Sequence, residues 1–390
     1  MAAPSSRFGT EMAGRPVGRV VGSSDVKIWG MTSAERIRRA FRRAGIAESI
    51  DGKPADSAAQ ILVRADYILD ESLIRALAAA PGTILMTEDG RKPVAAHCDP
   101  ETAAKLLPAL SGERAFSADL AAGLRCVGPV EISSAYSQSL RKREAPYILP
   151  LSRANLRMIE SRMFQGAYKG VTDLVTKYVW PRPALRVTRW AAEAGISPNA
   201  VTWVSLVCVL AACWLFLEGA FAAGLAAAWM MTFLDTVDGK LARVTLTSTK
   251  LGDVFDHGVD LIHPPFWYAA WIIGLEATGQ ALADASLIFA IVIGGYVVGR
   301  LQEGLFIWLF GMHMHIWRPV DSWFRLITAR RNPNLLILSA FVLIGLPDVG
   351  MLAVAAWTCI SIAFHSIRIL QALNARRRGG PLISWLAVQT

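Results

Sequence analysis

Several features that are common in secreted and nucleic-acid-binding proteins are scarce in this chain of 390 residues. Charged residues make up only 18% of it, and no motif for binding DNA or RNA is present. The first 15 residues lack the apolar stretch of a secretory signal peptide. No zinc-site or disulfide spacing links the five cysteines, which are Cys98, Cys126, Cys208, Cys213 and Cys359. These absences argue against a disulfide-stabilised secreted domain and against a nucleic-acid partner.

Apolar segments long enough to cross a bilayer, about 20 residues, are missing before Pro181 and abundant after Asn199. Hydrophobic residues reach 53% and the net charge is +9, with basic residues concentrated beside the apolar segments. Anionic membrane lipids are therefore the expected partners of this charge. We predict an α-helical polytopic membrane protein with six transmembrane helices and an N-terminal soluble α/β domain.

The predicted spans lie at 200–217, 220–241, 254–275, 285–309, 334–347 and 350–371. Basic residues occur in every second connection between them and again after the last span, at Arg376, Arg377 and Arg378. The positive-inside rule then places both termini on the cytoplasmic side. The expected location is the bacterial inner membrane, with a membrane domain over 196–375 and a cytoplasmic tail over 376–390.

Four aspartates stand where the second span ends and the third begins. The segment LDTVDGKLARVTLTSTKLGDVFDHGVD has the pattern D-x2-D-G-x2-A-R-x8-G-x3-D-x3-D, formed by Asp235, Asp238, Gly239, Ala242, Arg243, Gly252, Asp256 and Asp260. Positions three or four apart share a helix face, so two facing helices direct all four carboxylates into one pocket. Carboxylates at membrane depth cost about 2.5–3.5 kcal/mol each and usually mark a functional site. Such oxygen ligands favour Mg²⁺ or Mn²⁺ over zinc.

This pattern resembles the signature of the CDP-alcohol phosphatidyltransferase family, membrane enzymes that displace CMP from a CDP-linked alcohol. The resemblance implies transfer of a substituted phosphate group to an acceptor hydroxyl, in phospholipid biosynthesis. It implies two Mg²⁺ or Mn²⁺ ions held by the four aspartates, with Asp260 also acting as the general base. It assigns the nucleotide to Gly239, Ala242, Arg243 and Gly252, although helix packing is an alternative explanation for the glycines.

The resemblance specifies the class of reaction more closely than it specifies the donor and the acceptor. CDP-diacylglycerol is the expected donor, a soluble CDP-polyol such as CDP-inositol is the alternative, and the acceptor alcohol is not identified. Another class remains open, a membrane scaffold or transporter that binds a nucleotide without chemistry. We expect a homodimer. Candidates for binding an acceptor phosphate or lipid headgroups are Arg300, Arg318, Arg325, Arg330 and Arg331.

Two further segments precede the membrane domain. Residues 151–195 are basic and aromatic and are divided by Pro181 and Pro183, which predicts interfacial helices or a solvated linker. Residues 1–20 are expected to be disordered, and 21–140 alternate between strand and helix patterns and loosely resemble a nucleotidyltransferase domain. This front domain lacks a glycine-rich loop that would cradle a triphosphate. A docking or regulatory remnant is therefore expected, and a cytidylyltransferase that uses Asp66 is the alternative.

Overall fold

A computed structural model describes residues 16–49 and 59–388, without the side chains of residues 118, 250, 251, 253, 256 and 257. The chain forms two compact units, one up to Ala135 together with Glu144–Arg162, and one comprising Tyr136–Arg143 and the residues from Met163 onward. The last crossing between the units falls between Arg162 and Met163, within the segment 151–195, and the predicted domain bounds stay a prediction. Of the predicted disordered terminus, 1–15 lie outside the described residues, and a strand begins at Val17.

The first unit is built on a mixed β-sheet. Its strands are β1 (Val17–Val21), β2 (Lys27–Ile28), β3 (Met31–Thr32), β4 (Ala47–Glu48), β5 (Gln60–Arg64), β6 (Tyr67–Leu69), β7 (Thr83–Met86), β8 (Pro93–Cys98) and β9 (Arg125–Val127). The main sheet has the order β4-β1-β5-β8-β7-β9. Its neighbours are parallel for β1–β4, β1–β5 and β7–β9 and antiparallel on both sides of β8. This confirms the predicted α/β character of the N-terminal region.

The first unit also contains helices and a further strand that pairs with β6. The helices are α1 (Ser33–Ala44), α2 (Glu71–Ala78), α3 (Pro100–Ser111), α4 (Pro129–Ile132) and α5 (Leu156–Gly166). The hairpin strands β10 (Tyr136–Ser137) and β11 (Lys142–Arg143) belong to the second unit, whereas β12 (Ile148–Pro150) pairs with β6.

Helix α1 shows how local sequence sets these elements. The Thr32 hydroxyl accepts a hydrogen bond from the Glu35 amide, and Gly45 ends the helix in the left-handed conformation. Residues next to the helix in the sequence thus set both of its ends. Phe41 of this helix packs on β1 so closely that a Cβ at Gly18 would lie 2.5 Å from the ring. Only glycine fits at this point of the strand, which the sequence pattern does not predict.

The second unit is helical. After a π-helix at Val175–Val179 come α6 (Pro181–Glu193), α7 (Pro198–Leu217), α8 (Phe221–Val244), α9 (Lys250–Ala277), α10 (Ala285–Phe310), α11 (Pro319–Arg325), α12 (Arg331–Leu343) and α13 (Pro347–Gly379). Six of them, α7 to α10, α12 and α13, lie at the predicted spans.

Within the described residues, three of these helices are long and apolar enough to cross a membrane: α7, α10 and α13. Helices α8 and α9 carry the acidic motif, and α12 has only 13 residues. Six crossings therefore remain a prediction. Helix α13 continues to Gly379, so Arg376, Arg377 and Arg378 lie in its last turn and not in a tail.

Helix α7 packs against both α8 and α9, the two helices that carry the acidic motif. A Cβ at Gly274 of α9 would lie 1.9 Å from the Phe216 carbonyl oxygen of α7, so the two backbones are in direct contact. Trp267 and Trp271 fill the adjacent core, and their indole N–H groups donate to the carbonyls of Val209 and Pro347. The buried indoles therefore leave no donor unsatisfied.

Adjacent glycines in α10 provide a test of this packing. A Cβ at Gly295 would lie 2.3 Å from Thr358 Cγ2 of α13, whereas a Cβ at Gly294 would meet nothing within 4 Å. Gly295→Ala should destabilise the protein by about 1–3 kcal/mol through overpacking, and Gly294→Ala should not. Thermal unfolding in detergent, followed by tryptophan fluorescence, measures both. Equal melting temperatures for the two variants would contradict this packing.

Candidate functional site

Two aspartates of the acidic motif converge on one cation. Arg331, at the start of α12, places Nη2 at 2.5 Å from Asp235 Oδ2 and Nη1 at 2.5 Å from Asp260 Oδ1. Asp235 lies on α8 and Asp260 on α9, so Arg331 joins the side chains of both helices. The side chain of Asp256 lies outside the described residues, although its backbone is one helical turn before Asp260 on α9. The carboxylates of Asp235 and Asp260 therefore share a single positively charged partner.

The first turn of α12 is held by two buried amides that follow Arg331 in the chain. Asn332 Nδ2 donates to Asp173 Oδ1 at 2.9 Å, and Asn334 Nδ2 donates to the Tyr268 hydroxyl of α9 at 2.8 Å. Arg331 therefore projects toward the carboxylates from a backbone that two hydrogen bonds fix.

A second part of the motif lines a cleft of about 330 Å³ between the ends of α7, α8 and α9. Its walls are Pro198, Asn199, Thr202, Asp238, Gly239, Ala242, Thr247, Ser248, Thr249 and Gly252. Asp238 is buried there, and its Oδ2 accepts a hydrogen bond of 2.7 Å from the Thr202 hydroxyl. Ser197 caps α7 and Thr249 caps α9, so both helix N-termini are set at this cleft. Most of the small and acidic signature residues thus surround one space.

The glycines of the motif are not explained by helix packing alone. A Cβ at Gly239 would meet only the Arg243 guanidinium, at 3.7 Å, which is an ordinary contact with a flexible group. A Cβ at Gly252 would approach the Asn199 amide oxygen to 2.9 Å and would narrow the cleft. A Cβ at Gly239 would therefore meet no steric obstacle among the described residues.

The residues at this site fit a divalent metal by the chemistry of their donors. Asp235 and Asp260 already direct one oxygen each toward a common cation, and Asp238 lies one turn from Asp235 on α8. All three supply carboxylate oxygen, the ligand type that Mg²⁺ and Mn²⁺ prefer. Among the described side chains, no three acidic, histidine or cysteine residues lie close enough together to hold a metal ion. The side chain of Asp256 is not among them, so a metal site of four aspartates stays a prediction.

Arg300 and Arg330 belong to a different cluster, centred on Glu303. Arg330 forms an ion pair with Glu303, and Arg300 Nη1 lies 3.6 Å from the same carboxylate. His315 Nε2 donates to it at 3.2 Å, and burial lowers the pKa of His315 to about 3, so this imidazole is neutral. Arg300, Glu303 and Arg330 border a cleft of about 320 Å³, which is lined also by Ser361 and His365.

Buried basic groups lie near this cluster. Arg325 is buried, and among the described residues its Nε and Nη1 have no hydrogen-bond partner. Burial lowers the pKa of Arg141 to about 10, and Arg330 adds to this effect. Burial also lowers the pKa of Lys169 to about 8, and nearby Arg141 and Arg243 act in the same direction. Asp173 and Glu303 oppose the lowering of the Arg325 pKa, but N–H groups of Arg325 and Arg141 lack a hydrogen-bond partner among the described residues. Such buried N–H groups suit an anionic ligand.

The predicted arginine group is therefore divided by the structure. Arg300, Arg325 and Arg330 lie around the Glu303 cluster, and Arg331 lies with the carboxylates. Arg318 is exposed and stacks on Trp317 at 4.5 Å.

Arg243 of the motif donates a hydrogen bond from Nη1 to the Ala167 carbonyl at 3.1 Å. No sequence pattern assigns a role to Arg141 or Lys169. Thr202 has a sequence signal, because it ends the segment Pro198-Asn199-x-x-Thr202 that opens α7.

In the first unit, Asp66 forms a salt bridge of 2.6 Å with Arg64. Its carboxylate is half exposed, and the two residues are neighbours at the end of β5. This pairing agrees with a turn residue and gives Asp66 a local partner. Whether the unit has cytidylyltransferase activity stays a prediction.

The match to a known protein family falls within the helical second unit. The sequence profile of the CDP-alcohol phosphatidyltransferase family matches residues 195–316. Cholinephosphotransferase 1 of Gallus gallus is 31% identical over 140 residues, which cover 31% of this chain and 39% of that protein. Archaetidylinositol phosphate synthase of Pyrococcus horikoshii is 31% identical over 134 residues, which cover 34% of this chain and 58% of that protein. The chain thus spans less than two thirds of the length of these relatives. Residues 195–316, which contain all eight signature residues, are thus similar to the CDP-alcohol phosphatidyltransferase family.

Proposed function

We propose that this protein is a membrane phosphotransferase that moves a substituted phosphate group from a CDP-alcohol to an acceptor hydroxyl and releases CMP. The observation that carries this proposal is the convergence of Asp235 and Asp260 beside the cleft lined by Asp238, Gly239 and Gly252. A scaffold that only binds nucleotide would not require carboxylates that converge on one cation next to that cleft.

Each motif residue has a role that suits its position. Asp235, Asp238, Asp256 and Asp260 would hold two Mg²⁺ or Mn²⁺ ions, which neutralise the charge that builds on the phosphoryl oxygens. The Thr202 hydroxyl orients the Asp238 carboxylate. Asp260 is the more exposed carboxylate, at 38%, and is therefore the one placed to accept the proton of the attacking hydroxyl.

The cleft beside Asp238 is the proposed nucleotide site. Its small walls at Gly239, Ala242 and Gly252 allow the cytidine nucleotide to approach the helix backbone. Arg243 lies over Gly239, within reach of a pyrophosphate bound there.

We propose that the acceptor carries a phosphate or another anionic group. Arg325 supports this because its guanidinium is buried away from lipid and has N–H groups without a partner among the described residues. The related Pyrococcus horikoshii protein is by its name an archaetidylinositol phosphate synthase. CDP-diacylglycerol is the proposed donor because three helices are long and apolar enough to place the protein in a bilayer. A soluble CDP-polyol is the alternative.

The proposal extends to the location of the protein, its lipid contacts and its assembly. The alternation of basic connections supports a bacterial inner-membrane protein whose site opens to the cytoplasm. Exposed Arg318 and the arginines at the end of α13 are placed to contact anionic lipid headgroups. We also propose a homodimer, and a docking or regulatory role for the first unit.

Loss of a motif carboxylate should abolish turnover. Asp238→Asn removes a proposed metal ligand, and CMP release from CDP-diacylglycerol with a pool of candidate alcohols should fall by more than about 100-fold, the upper cost of losing an outer-shell partner. Asp348→Asn, at the start of α13, should leave the rate unchanged. Mass spectrometry of the products identifies donor and acceptor. CMP formation at the normal rate by Asp238→Asn, or by the unaltered protein in excess chelator, would contradict the proposal.

The role of Gly239 separates nucleotide binding from folding. Gly239→Ala should raise the KM for the CDP-alcohol because the added methyl group enters the cleft, while the melting temperature stays unchanged. Gly294→Ala is the control, since its methyl group also meets no neighbour. A lower melting temperature with an unchanged KM would instead make Gly239 a packing residue.

The acceptor site is tested by two arginines of one segment. Arg325→Gln should raise the KM for a phosphorylated acceptor at least about tenfold, because a buried hydrogen bond to a charged group contributes about 1.5–3 kcal/mol. Arg318→Gln, which alters an exposed arginine, should leave that KM unchanged. The KM for the donor should be the same in both variants. Equal effects of the two substitutions would assign the basic segment to lipid headgroups.

A further inference from the structure

The guanidinium of Arg331 stands where the proposed metal ligands Asp235 and Asp260 come together. It forms one hydrogen bond with each carboxylate, both of 2.5 Å, so a single residue from α12 joins α8 to α9. Its side chain is 16% exposed, which shields these bonds from solvent. We propose that Arg331 is an exchangeable counter-cation: it holds Asp235 and Asp260 together without metal, and it competes with divalent metal for their oxygens.

The competition follows from the geometry of the two kinds of cation. A guanidinium N–H binds a carboxylate oxygen at hydrogen-bond distance, whereas Mg²⁺ requires oxygen ligands at about 2.0–2.1 Å in near-octahedral arrangement. A metal that took Asp235 Oδ2 and Asp260 Oδ1 would lie beside the guanidinium, and two positive charges at such separation repel. Binding of metal through these oxygens therefore requires the Arg331 side chain to move away.

The surroundings of Arg331 suit an exchange better than a fixed brace. The backbone of its turn is anchored by Asn332 and Asn334, so the turn stays in place when the side chain moves. The remaining contacts of its guanidinium with α8 are weak, since Nη1 lies 3.5 Å from the Met231 sulfur. Asp260 is 38% exposed, which gives an incoming ion access to the pair.

A fixed brace makes the opposite prediction. Each carboxylate has a second oxygen, so Arg331 would stay on Asp235 and Asp260 and orient them for a metal bound elsewhere. Removal of a brace weakens metal binding, as loss of an outer-shell partner does. Removal of a competitor strengthens it, because the apparent affinity of a ligand is reduced by the fraction of protein that is not competent to bind. The sign of the change in affinity therefore distinguishes the two roles.

The inference rests on the metal-binding part of the proposed function, and its test is metal binding and not turnover. Full-length protein in detergent is titrated with Mn²⁺, and free Mn²⁺ is measured by electron paramagnetic resonance. Arg331→Gln should bind Mn²⁺ about tenfold more tightly, as expected if the bridged form makes up about nine tenths of the metal-free protein. Arg331→Lys, which keeps the charge without the two-pronged geometry, should fall between Arg331→Gln and the unaltered protein. Arg330→Gln, whose residue pairs with Glu303 in the same turn, should leave Mn²⁺ affinity unchanged.

Thermal unfolding supplies a second readout. Arg331→Gln leaves Asp235 and Asp260 without their shared cation, so its melting temperature should fall in chelator and be restored by Mn²⁺. If Arg331→Gln does not fold without metal, recovery of the folded protein by Mn²⁺ supports the exchange, and the titration of Arg331→Lys supplies the affinity. Unchanged or weaker Mn²⁺ binding by both Arg331→Gln and Arg331→Lys would overturn the proposed exchange. An unaltered protein that binds no Mn²⁺ would overturn the proposed metal site as well.

Discussion

Carboxylates at the ends of apolar helices repel one another unless positive charge lies between them, and this constraint organises the second unit. Arg331 meets it for Asp235 and Asp260, and Arg300 and Arg330 meet it for Glu303. The same solution recurs where Asp321 of α11 forms a buried pair with Arg368 of α13 at 2.5 Å. Breaking such a pair from one side is costly, because the remaining charge stays buried. Helices separated in sequence are thus held by ion pairs as well as by apolar contact.

The start of α12 links the two clefts of this unit. Arg330 points to the Glu303 cluster and Arg331 to the acidic motif, although they are neighbours in the chain. Asn332 and Asn334 fix the same turn to Asp173 and Tyr268. A displacement of this turn would therefore disturb the proposed metal site and the proposed acceptor site together. One short stretch of backbone positions both.

The sequence was most informative where chemistry depends on helical periodicity. Spacing of three and four predicts that Asp235 and Asp238 share a face of α8. In the structure Asp235 contacts Arg331 of α12, whereas Asp238 contacts Thr202 of α7. Periodicity says nothing about which arginine meets which carboxylate. Arg318 and Arg331 have the same side chain in one basic segment, yet one is exposed and the other is paired, because their partners come from distant helices. For the same reason the antiparallel position of β8 is not evident from an alternating strand–helix pattern.

The aspartates of the motif are chemically alike, but they differ in burial and in the groups that they contact. Asp238 is buried at 3% exposure and held by the Thr202 hydroxyl, so its carboxylate is fixed in direction and suits a permanent ligand. Asp260 is far more exposed, and its described partner Arg331 is a side chain able to leave. A group that accepts a proton from an incoming alcohol must be reachable by that alcohol. The roles proposed for the individual aspartates thus follow from the burial of each carboxylate and from the groups that it contacts.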